Sequence, residues 1–136
     1  MSIEVPGLNR RREAREEALA VLYQVEVTGE SVEATLAARE IAPDEYAIEI
    51  ADGVDDTRDD LDVRIGRHLT NWRVERMPIV DRVIARMAVW ELETQSDTPT
   101  GVVLSEAVEL ASQYCGEKSA PFLNGVLSSV AAEVRG

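Results

Sequence analysis

Apolar residues recur at three- and four-residue spacing along most of the chain, and no segment alternates regularly between apolar and polar side chains. This spacing places apolar side chains on one face of an α-helix, whereas a half-buried strand needs a period of two. The helical period continues across Asn124-Gly125, although this dipeptide between apolar residues is typical of a β-hairpin turn. The sequence therefore predicts an all-α fold of six or seven helices.

The predicted helices begin at polar residues or prolines. They cover residues 9–27, 32–39 and 43–69, and three more begin at Pro78, Ser105 and Ser119. Asn9, Ser31, Ser105 and Ser119 are the predicted N-caps, because short polar side chains accept hydrogen bonds from the first free N–H groups of a helix. Gly29 is the predicted stop of the first helix. Gly125, inside the last helix, is expected to let a neighbouring helix backbone come close.

The organisation expected from these segments is simple. Residues 1–8 are predicted to be a flexible tail, and residues 9–136 a single all-α domain. The connector at 71–78 divides that domain into an N-terminal helical subdomain, 9–70, and a C-terminal one, 71–136.

Charge and cysteine content restrict the functions and the cellular compartment expected for this chain. The formal net charge is −12, which argues against a free-standing nucleic-acid binder because phosphate contacts supply much of such affinity. The single cysteine cannot form an internal disulfide, as expected for a reducing, cytoplasmic compartment. No apolar run approaches the length of a membrane span, so no membrane contact is expected.

Catalytic patterns are weak. His68 and Cys115 lie on different predicted elements, so a Cys–His nucleophile pair is a minor hypothesis. Neither a metal-spaced Cys/His set nor a phosphate-cradling glycine loop is present. The chain is expected to be no enzyme, and to hold no metal and no cofactor.

Arginines cluster at the start of the first helix. Arg10, Arg11, Arg12 and Arg15 all fall in its first turns, where cations oppose the helix dipole. They are either an ordinary charged helix start or a patch for phosphate and base contacts with RNA.

A second candidate site lies before the last helix. Lys118, the only lysine, precedes Ser119 and the only phenylalanine, Phe122. Phe122 is either a core anchor or a platform on which an unpaired base stacks. Tyr23, beside the apolar stripe of the first helix, is open to the same two interpretations.

Four blocks of the sequence resemble the NusB family of bacterial transcription antitermination factors in order and spacing. They read RREAREEALAVLYQVEVTGE, DRVIARMAVWEL, VVLSEAVELASQY and EKSAPFLNGVL. The resemblance implies two packed three-helix bundles without catalysis. It also implies binding of single-stranded boxA RNA together with NusE, a small-subunit ribosomal protein. Other antitermination factors and RNA polymerase would be reached indirectly, in support of ribosomal RNA transcription. The free protein would be a monomer or homodimer.

The resemblance also implies site residues. The implied RNA contacts are Arg11, Arg12, Arg15, Tyr23, Lys118, Ser119 and Phe122, with Arg10 just outside the matching stretch and Asn124 one turn on. The partner surface is expected on the C-terminal bundle, at Asp81, Arg82 and Glu106.

This sequence departs from the family pattern at three positions. Ser105 stands where asparagine is usual, Glu13 where a basic residue is common, and Trp90 where tyrosine is usual. Glu13 is expected to weaken RNA contact, and Trp90 lacks the tyrosine hydroxyl.

Two alternatives keep the fold and change the role. The chain is either an RNA-binding antitermination factor or a protein-docking or homodimerising module whose RNA binding is weak or masked. The family's fold also occurs as the N-terminal domain of ribosomal RNA cytosine methyltransferases. That alternative needs a catalytic domain, which is not expected in a chain that ends at Gly136.

Overall fold

The computed structural model describes residues 8–70 and 73–136, which form seven α-helices and one 3₁₀ turn with no strand among them. The helices are α1 (Leu8–Thr28), α2 (Val32–Ala37), α3 (Glu45–Asp56), α4 (Arg58–Gly66), α5 (Ile79–Thr94), α6 (Thr100–Tyr114) and α7 (Ser119–Arg135); the 3₁₀ turn is Val74–Arg76. The predicted all-α fold is confirmed. The tail predicted for residues 1–8 lies outside the described residues except for Leu8, which begins α1.

The ends of the first two helices follow local chemistry. Gly29 has a φ of 75°, and its N–H donates to the carbonyl of Val25 at 2.9 Å, so the predicted stop of α1 is confirmed. Ser31 caps α2, because its hydroxyl accepts from the Ala34 N–H at 3.0 Å. The predicted N-cap at Asn9 is wrong, because α1 already includes Leu8.

The single helix predicted for residues 43–69 is also wrong. The helix breaks at Thr57, which has φ −116° and ψ 16°, between α3 and α4. The Thr57 hydroxyl and N–H both donate to the carbonyl of Gly53, at 2.7 and 3.2 Å. Residues that compete for backbone hydrogen bonds, such as Asp55, Asp56 and Thr57, favour such a break. The start of α3 is capped by Asp44, whose carboxylate accepts from the Tyr46 N–H at 2.8 Å.

Two predicted caps in the C-terminal half are wrong as well. α6 begins at Thr100, directly after Pro99, so Ser105 lies inside the helix and its hydroxyl donates to the carbonyl of Val102 at 3.3 Å. Ser119 is the first helical residue of α7 rather than its cap. Its hydroxyl donates to a carboxylate oxygen of Asp81 at 2.6 Å and is therefore not available to the helix start.

By their internal contacts, the residues divide into two compact units. Unit one ends at Asp52 and unit two is Gly53–Gly136, so the boundary between these units lies within α3. The reason is that α4 packs against α5 and α7 and so belongs with the C-terminal helices. In unit one, α1 packs against α2. The buried hydrophobic side chains of unit one are Ala14, Ala18, Leu19, Val21, Leu22, Val32, Tyr46, Ala47, Ile50 and Ala51.

Unit two is built around α5, which contacts α4, α6 and α7. Every residue from 83 to 92 is buried, as expected for a helix surrounded by others. Arg86, a charged residue in this buried stretch, is paired with a carboxylate on α4. Arg86 donates to both carboxylate oxygens of Asp62 on α4, at 2.7 and 2.8 Å, a bidentate geometry that fixes the two helices relative to each other.

The C-terminal ends of α5 and α7 are joined by one side chain. The Arg135 guanidinium donates to four backbone carbonyls and one hydroxyl, those of Glu91, Leu92, Gln95, Thr98 and Thr100, at 2.7–3.3 Å. The bond to Leu92 serves a carbonyl in the last turn of α5, where helical N–H partners run out, and the positive charge suits the negative end of the helix.

The glycines inside helices have opposite surroundings. Asn124-Gly125 is helical, as predicted, but Gly125 is exposed and a Cβ built there would meet nothing within 4 Å. The close approach expected at Gly125 is therefore wrong. A close approach of another kind, by a side chain, occurs at Gly53 in α3, where a Cβ would overlap the indole of Trp90.

Candidate nucleic-acid interface

The predicted RNA-binding residues fall into two groups, one in each unit. Unit one carries Arg10, Arg11, Arg12, Arg15 and Tyr23 on α1. Unit two carries Lys118 just before α7, and Ser119, Phe122 and Asn124 in its first two turns.

The four arginines of α1 differ in how much of each side chain faces solvent. Arg10 and Arg11 are exposed, Arg12 is half-buried, and Arg15 is only 3% exposed. Arg15 follows the buried Ala14 on the apolar face of α1. Solvent exposure therefore decreases along the predicted arginine patch, and its accessible positive charge lies at Arg10 and Arg11.

Arg11 is held over an aromatic ring. Its guanidinium carbon lies 3.8 Å from the centroid of the Tyr46 ring, and that of Arg15 lies 6.0 Å away. Such stacking orients a guanidinium plane without using its N–H donors, which stay available to a phosphate. Tyr46 itself is buried, so it acts as a fixed support for Arg11.

Arg10 is bound by a carboxylate from the start of α3. Its Nε donates to Asp44 Oδ2 at 2.7 Å. The hydrogen bond from Arg10, together with that from the Tyr46 N–H, lowers the pKa of Asp44 below its usual value. The same pair raises the pKa of Arg10. Both groups are therefore charged at neutral pH.

These side chains line an open cleft of about 340 Å³ within unit one. Its lining residues are Arg10, Arg11, Asp44, Glu45, Tyr46 and Glu49. Two arginines thus face three acids, so the cleft as a whole does not favour an anion.

Tyr23 lies on the outer side of α1. Its side chain is 43% exposed, and Val27, one turn later, is 55% exposed. The core of α1 is formed by other residues, among them Val21 and Leu22. The ring of Tyr23 is thus accessible to a ligand.

The start of α7 presents exposed side chains around its first turns. Lys118 and Asn124 are exposed, and Phe122 is 37% exposed, whereas Leu123 beside it is fully buried. The residues that anchor this part of α7 in the core are therefore Leu123, Val126 and Leu127, rather than Phe122. The exposed Phe122 ring beside Lys118 is an arrangement suited to base stacking next to a phosphate.

Ser119 belongs to a small, partly buried cluster. Its hydroxyl donates to Asp81, which is 5% exposed, and Cys115 interacts with the same two residues. Burial, followed by the hydrogen bond to the Asp81 carboxylate, raises the pKa of the Cys115 thiol to about 12. The cluster therefore ties the α6–α7 turn to the start of α5.

We expect Cys115 to alkylate slowly at neutral to mildly alkaline pH. Because its pKa is raised from 9.0 to about 12, the reactive thiolate should appear only as the pH rises well above 9. At pH 8, iodoacetamide should react more than about tenfold slower with the folded chain than with the same chain unfolded in urea. Asp81→Asn should shift the pH–rate profile of the folded chain downward. A folded-state profile with its midpoint near 9 would contradict the partial burial of Cys115 and its contact with Asp81.

The predicted partner residues are largely internal. Asp81 and Glu106 are 5% and 4% exposed. Arg82 is half-buried, and its Nη1 lies 3.4 Å from the carbonyl of Glu75. Partner contact at these three positions stays a prediction. Because the carboxylates of Asp81 and Glu106 are buried, they can hold neighbouring surface residues in place but offer little surface to a partner.

Two residues that the sequence did not indicate contact the candidate site, and a third is an exposed aromatic residue near it in the sequence. Asp44 and Tyr46 engage Arg10 and Arg11, but their apolar and capping pattern indicated only a helix start. Tyr114, the last residue of α6, is 52% exposed and lies one short turn before α7. Its position at a predicted helix end was the only available signal.

Nothing in residues 8–70 and 73–136 groups three or more His, Cys, Asp or Glu side chains so that they could hold a metal ion. His68 Nε2 lies 3.5 Å from Glu133 Oε2, whereas Cys115 interacts with Asp81 and Ser119. The hypothetical Cys–His pair therefore has different partners. None of the helices described is long and apolar enough to cross a membrane.

Known proteins with similar sequences cover nearly the whole chain. The transcription antitermination protein NusB of Clavibacter sepedonicus is 42% identical, over 92% of this chain and 98% of its own length. The NusB of Bacillus subtilis is 37% identical, over 92% and 97%.

Solved structures are similar at the same scale. NusB of T. maritima superimposes with a TM-score of 0.82 at 32% identity, covering 96% of this chain and 94% of that one. A chain of the crystal structure of antitermination factors NusB and NusE in complex with dsRNA gives a TM-score of 0.80 at 29% identity, covering 92% and 98%. The NusB family model matches residues 12–132. By family model, sequence and fold alike, this chain belongs to the NusB family.

Proposed function

We propose that this chain is an RNA-binding transcription antitermination factor that pairs with NusE to bind boxA RNA and support ribosomal RNA transcription. The observation that carries the proposal is the likeness, over nine-tenths of the chain, to a chain from the complex of NusB, NusE and dsRNA. The exposed arginine and aromatic side chains described above support it. Such a factor would act in the cytoplasm and reach RNA polymerase and other antitermination factors indirectly.

The charge of the chain makes a partner necessary in this proposal. A net charge of −12 repels the RNA backbone, and only a few cations stand out locally. NusE would supply further positive charge and contact the C-terminal helices, for which Asp81, Arg82 and Glu106 are the proposed positions. Tight RNA binding would then require both this chain and NusE.

The RNA-binding residues would have distinct tasks. Arg11, oriented by Tyr46, and Lys118 would bind phosphates, while Phe122 and Tyr23 would stack on bases. Asn124 is exposed and able to hydrogen-bond to a base edge. Arg12, Arg15 and Ser119 are more buried, and their proposed contribution is to hold the exposed residues in place.

The second candidate, a docking or homodimerising module with weak RNA binding, is favoured by one observation. Arg10 already has an acidic partner in Asp44, and Arg15 is buried, so these two arginines of the predicted patch are engaged within the chain.

Titrating labelled boxA RNA with this chain, with and without NusE, at several salt concentrations separates the two candidates. We expect weak binding by the chain alone, markedly tighter binding with NusE, and an affinity that falls as salt rises. An affinity that stays weak when NusE is added, in the presence of a demonstrated NusE complex, would favour the docking module.

A further inference from the structure

Arg10 and Asp44 form an ion pair that connects the start of α1 with the start of α3. The two residues are 34 positions apart, and the Nε–Oδ2 distance is 2.7 Å. The Arg10 side chain is 73% exposed, whereas that of Asp44 is only 17% exposed. The carboxylate is thus a fixed group in the cleft wall, and the guanidinium reaches it from solvent.

Asp44 accepts from Arg10 a hydrogen bond of the kind that a phosphate also accepts. A carboxylate and a phosphate both accept hydrogen bonds from a guanidinium through two oxygens, and they compete for the same donors. We propose, resting on the proposed RNA-binding function, that Asp44 is a built-in competitor that occupies Arg10 and thereby sets the RNA affinity of the α1 arginine group.

The location of Asp44 makes it the effective competitor among the three acids of the cleft. Asp44 accepts a hydrogen bond from Arg10, whereas Glu45 acts on Arg10 through its charge. Its other oxygen accepts the N–H of Tyr46, and this bond fixes the carboxylate at the first turn of α3. Because Tyr46 also supports Arg11, one short segment controls both exposed arginines.

Competition at this site is graded rather than absolute. Solvent-exposed ion pairs are weak, so a phosphate held nearby by Arg11 can displace Asp44. Residual competition lowers the affinity and leaves RNA binding possible, which would let a chain with an arginine-rich helix start avoid tight contact with unrelated RNA.

The test is a double-mutant cycle on boxA RNA binding by the chain–NusE complex. Asp44→Asn removes the charge but keeps a side-chain oxygen that can still accept the Tyr46 N–H, so the start of α3 should survive. We expect RNA to bind roughly two- to fivefold more tightly to this variant. The salt dependence should steepen by up to about 0.7 in log–log slope, the value for one added phosphate contact to a single strand.

Two comparisons separate this competition from a general charge effect. Glu30→Gln removes one exposed negative charge from unit one and should change the affinity little. In an Arg10→Gln background, Asp44→Asn should bring no gain, because the competed donor is gone. An equal gain with and without Arg10, or none with unaltered helicity and melting temperature, would overturn the inference.

The proposed function can fail separately. If the unmodified chain with NusE does not bind boxA RNA, that proposal is wrong. If the pair binds boxA RNA and Asp44→Asn has no effect, only the competition by Asp44 is wrong.

Discussion

Phe122→Ala should weaken RNA binding by the chain–NusE complex by roughly 1–3 kcal/mol while leaving thermal stability nearly unchanged. The physical reason is that the ring is 37% exposed at the first turn of α7, where a base can stack on it beside Lys118. Stacking on an aromatic ring does not depend on base identity, so the loss should appear with any RNA that binds. RNA titration together with thermal unfolding of each variant measures both effects.

The neighbouring Leu123 provides a matched control. It is fully buried, so Leu123→Ala should lower the free energy of unfolding by about 2–5 kcal/mol through the cavity that it leaves. Of these two adjacent apolar residues, Phe122 should therefore affect RNA affinity and Leu123 the free energy of unfolding. A large loss of stability in Phe122→Ala with unchanged RNA affinity would return Phe122 to the core.

Gly53→Ala and Gly125→Ala should change stability in opposite directions. Alanine normally stabilises a helix relative to glycine by about 0.5–1 kcal/mol, and Gly125 faces open space, so Gly125→Ala should gain about that amount. At Gly53, a Cβ would lie 2.8 Å from Trp90 Cζ2 and closer still to two other indole atoms. Gly53→Ala should therefore destabilise the protein by about 1–3 kcal/mol through overpacking.

Trp90→Tyr tests the cause of this difference. If the indole is what excludes a Cβ, the cost of Gly53→Ala should shrink in the smaller tyrosine background, as a coupling energy in urea unfolding. Melting temperatures that move together for the two glycine variants, or a cost independent of residue 90, would contradict the packing described.

The helices could be predicted from the sequence because helix formation depends on residues that are close to one another in the chain. The 3.6-residue period and the Gly29 and Ser31 signals depend on side chains within one turn of each other. The errors arose where local signals were ambiguous. Ser105 resembles a cap but lies inside a helix that begins after Pro99, and the apolar stripe from 46 to 69 hides the break at Thr57.

The chemistry of the candidate site was less predictable, because it depends on residues far apart in sequence. Asp44 meets Arg10 across 34 residues, and Trp90 meets Gly53 across 37. Ser119 could not be assigned to Asp81 without knowing that α5 and α7 pack together. Solvent exposure could not be predicted either: Arg11 and Arg15 lie in the same arginine-rich stretch, yet Arg11 is exposed and Arg15 is buried.

The most direct test of the account compares the affinity of the chain–NusE complex for boxA RNA with that for a scrambled RNA of equal length and composition. A double-stranded form of the same sequence serves as a third ligand. We expect single-stranded boxA RNA to bind more tightly than both, because exposed bases are needed for stacking and edge recognition. Equal affinity for the boxA and scrambled RNAs would contradict specific recognition and leave only a charge-driven interaction.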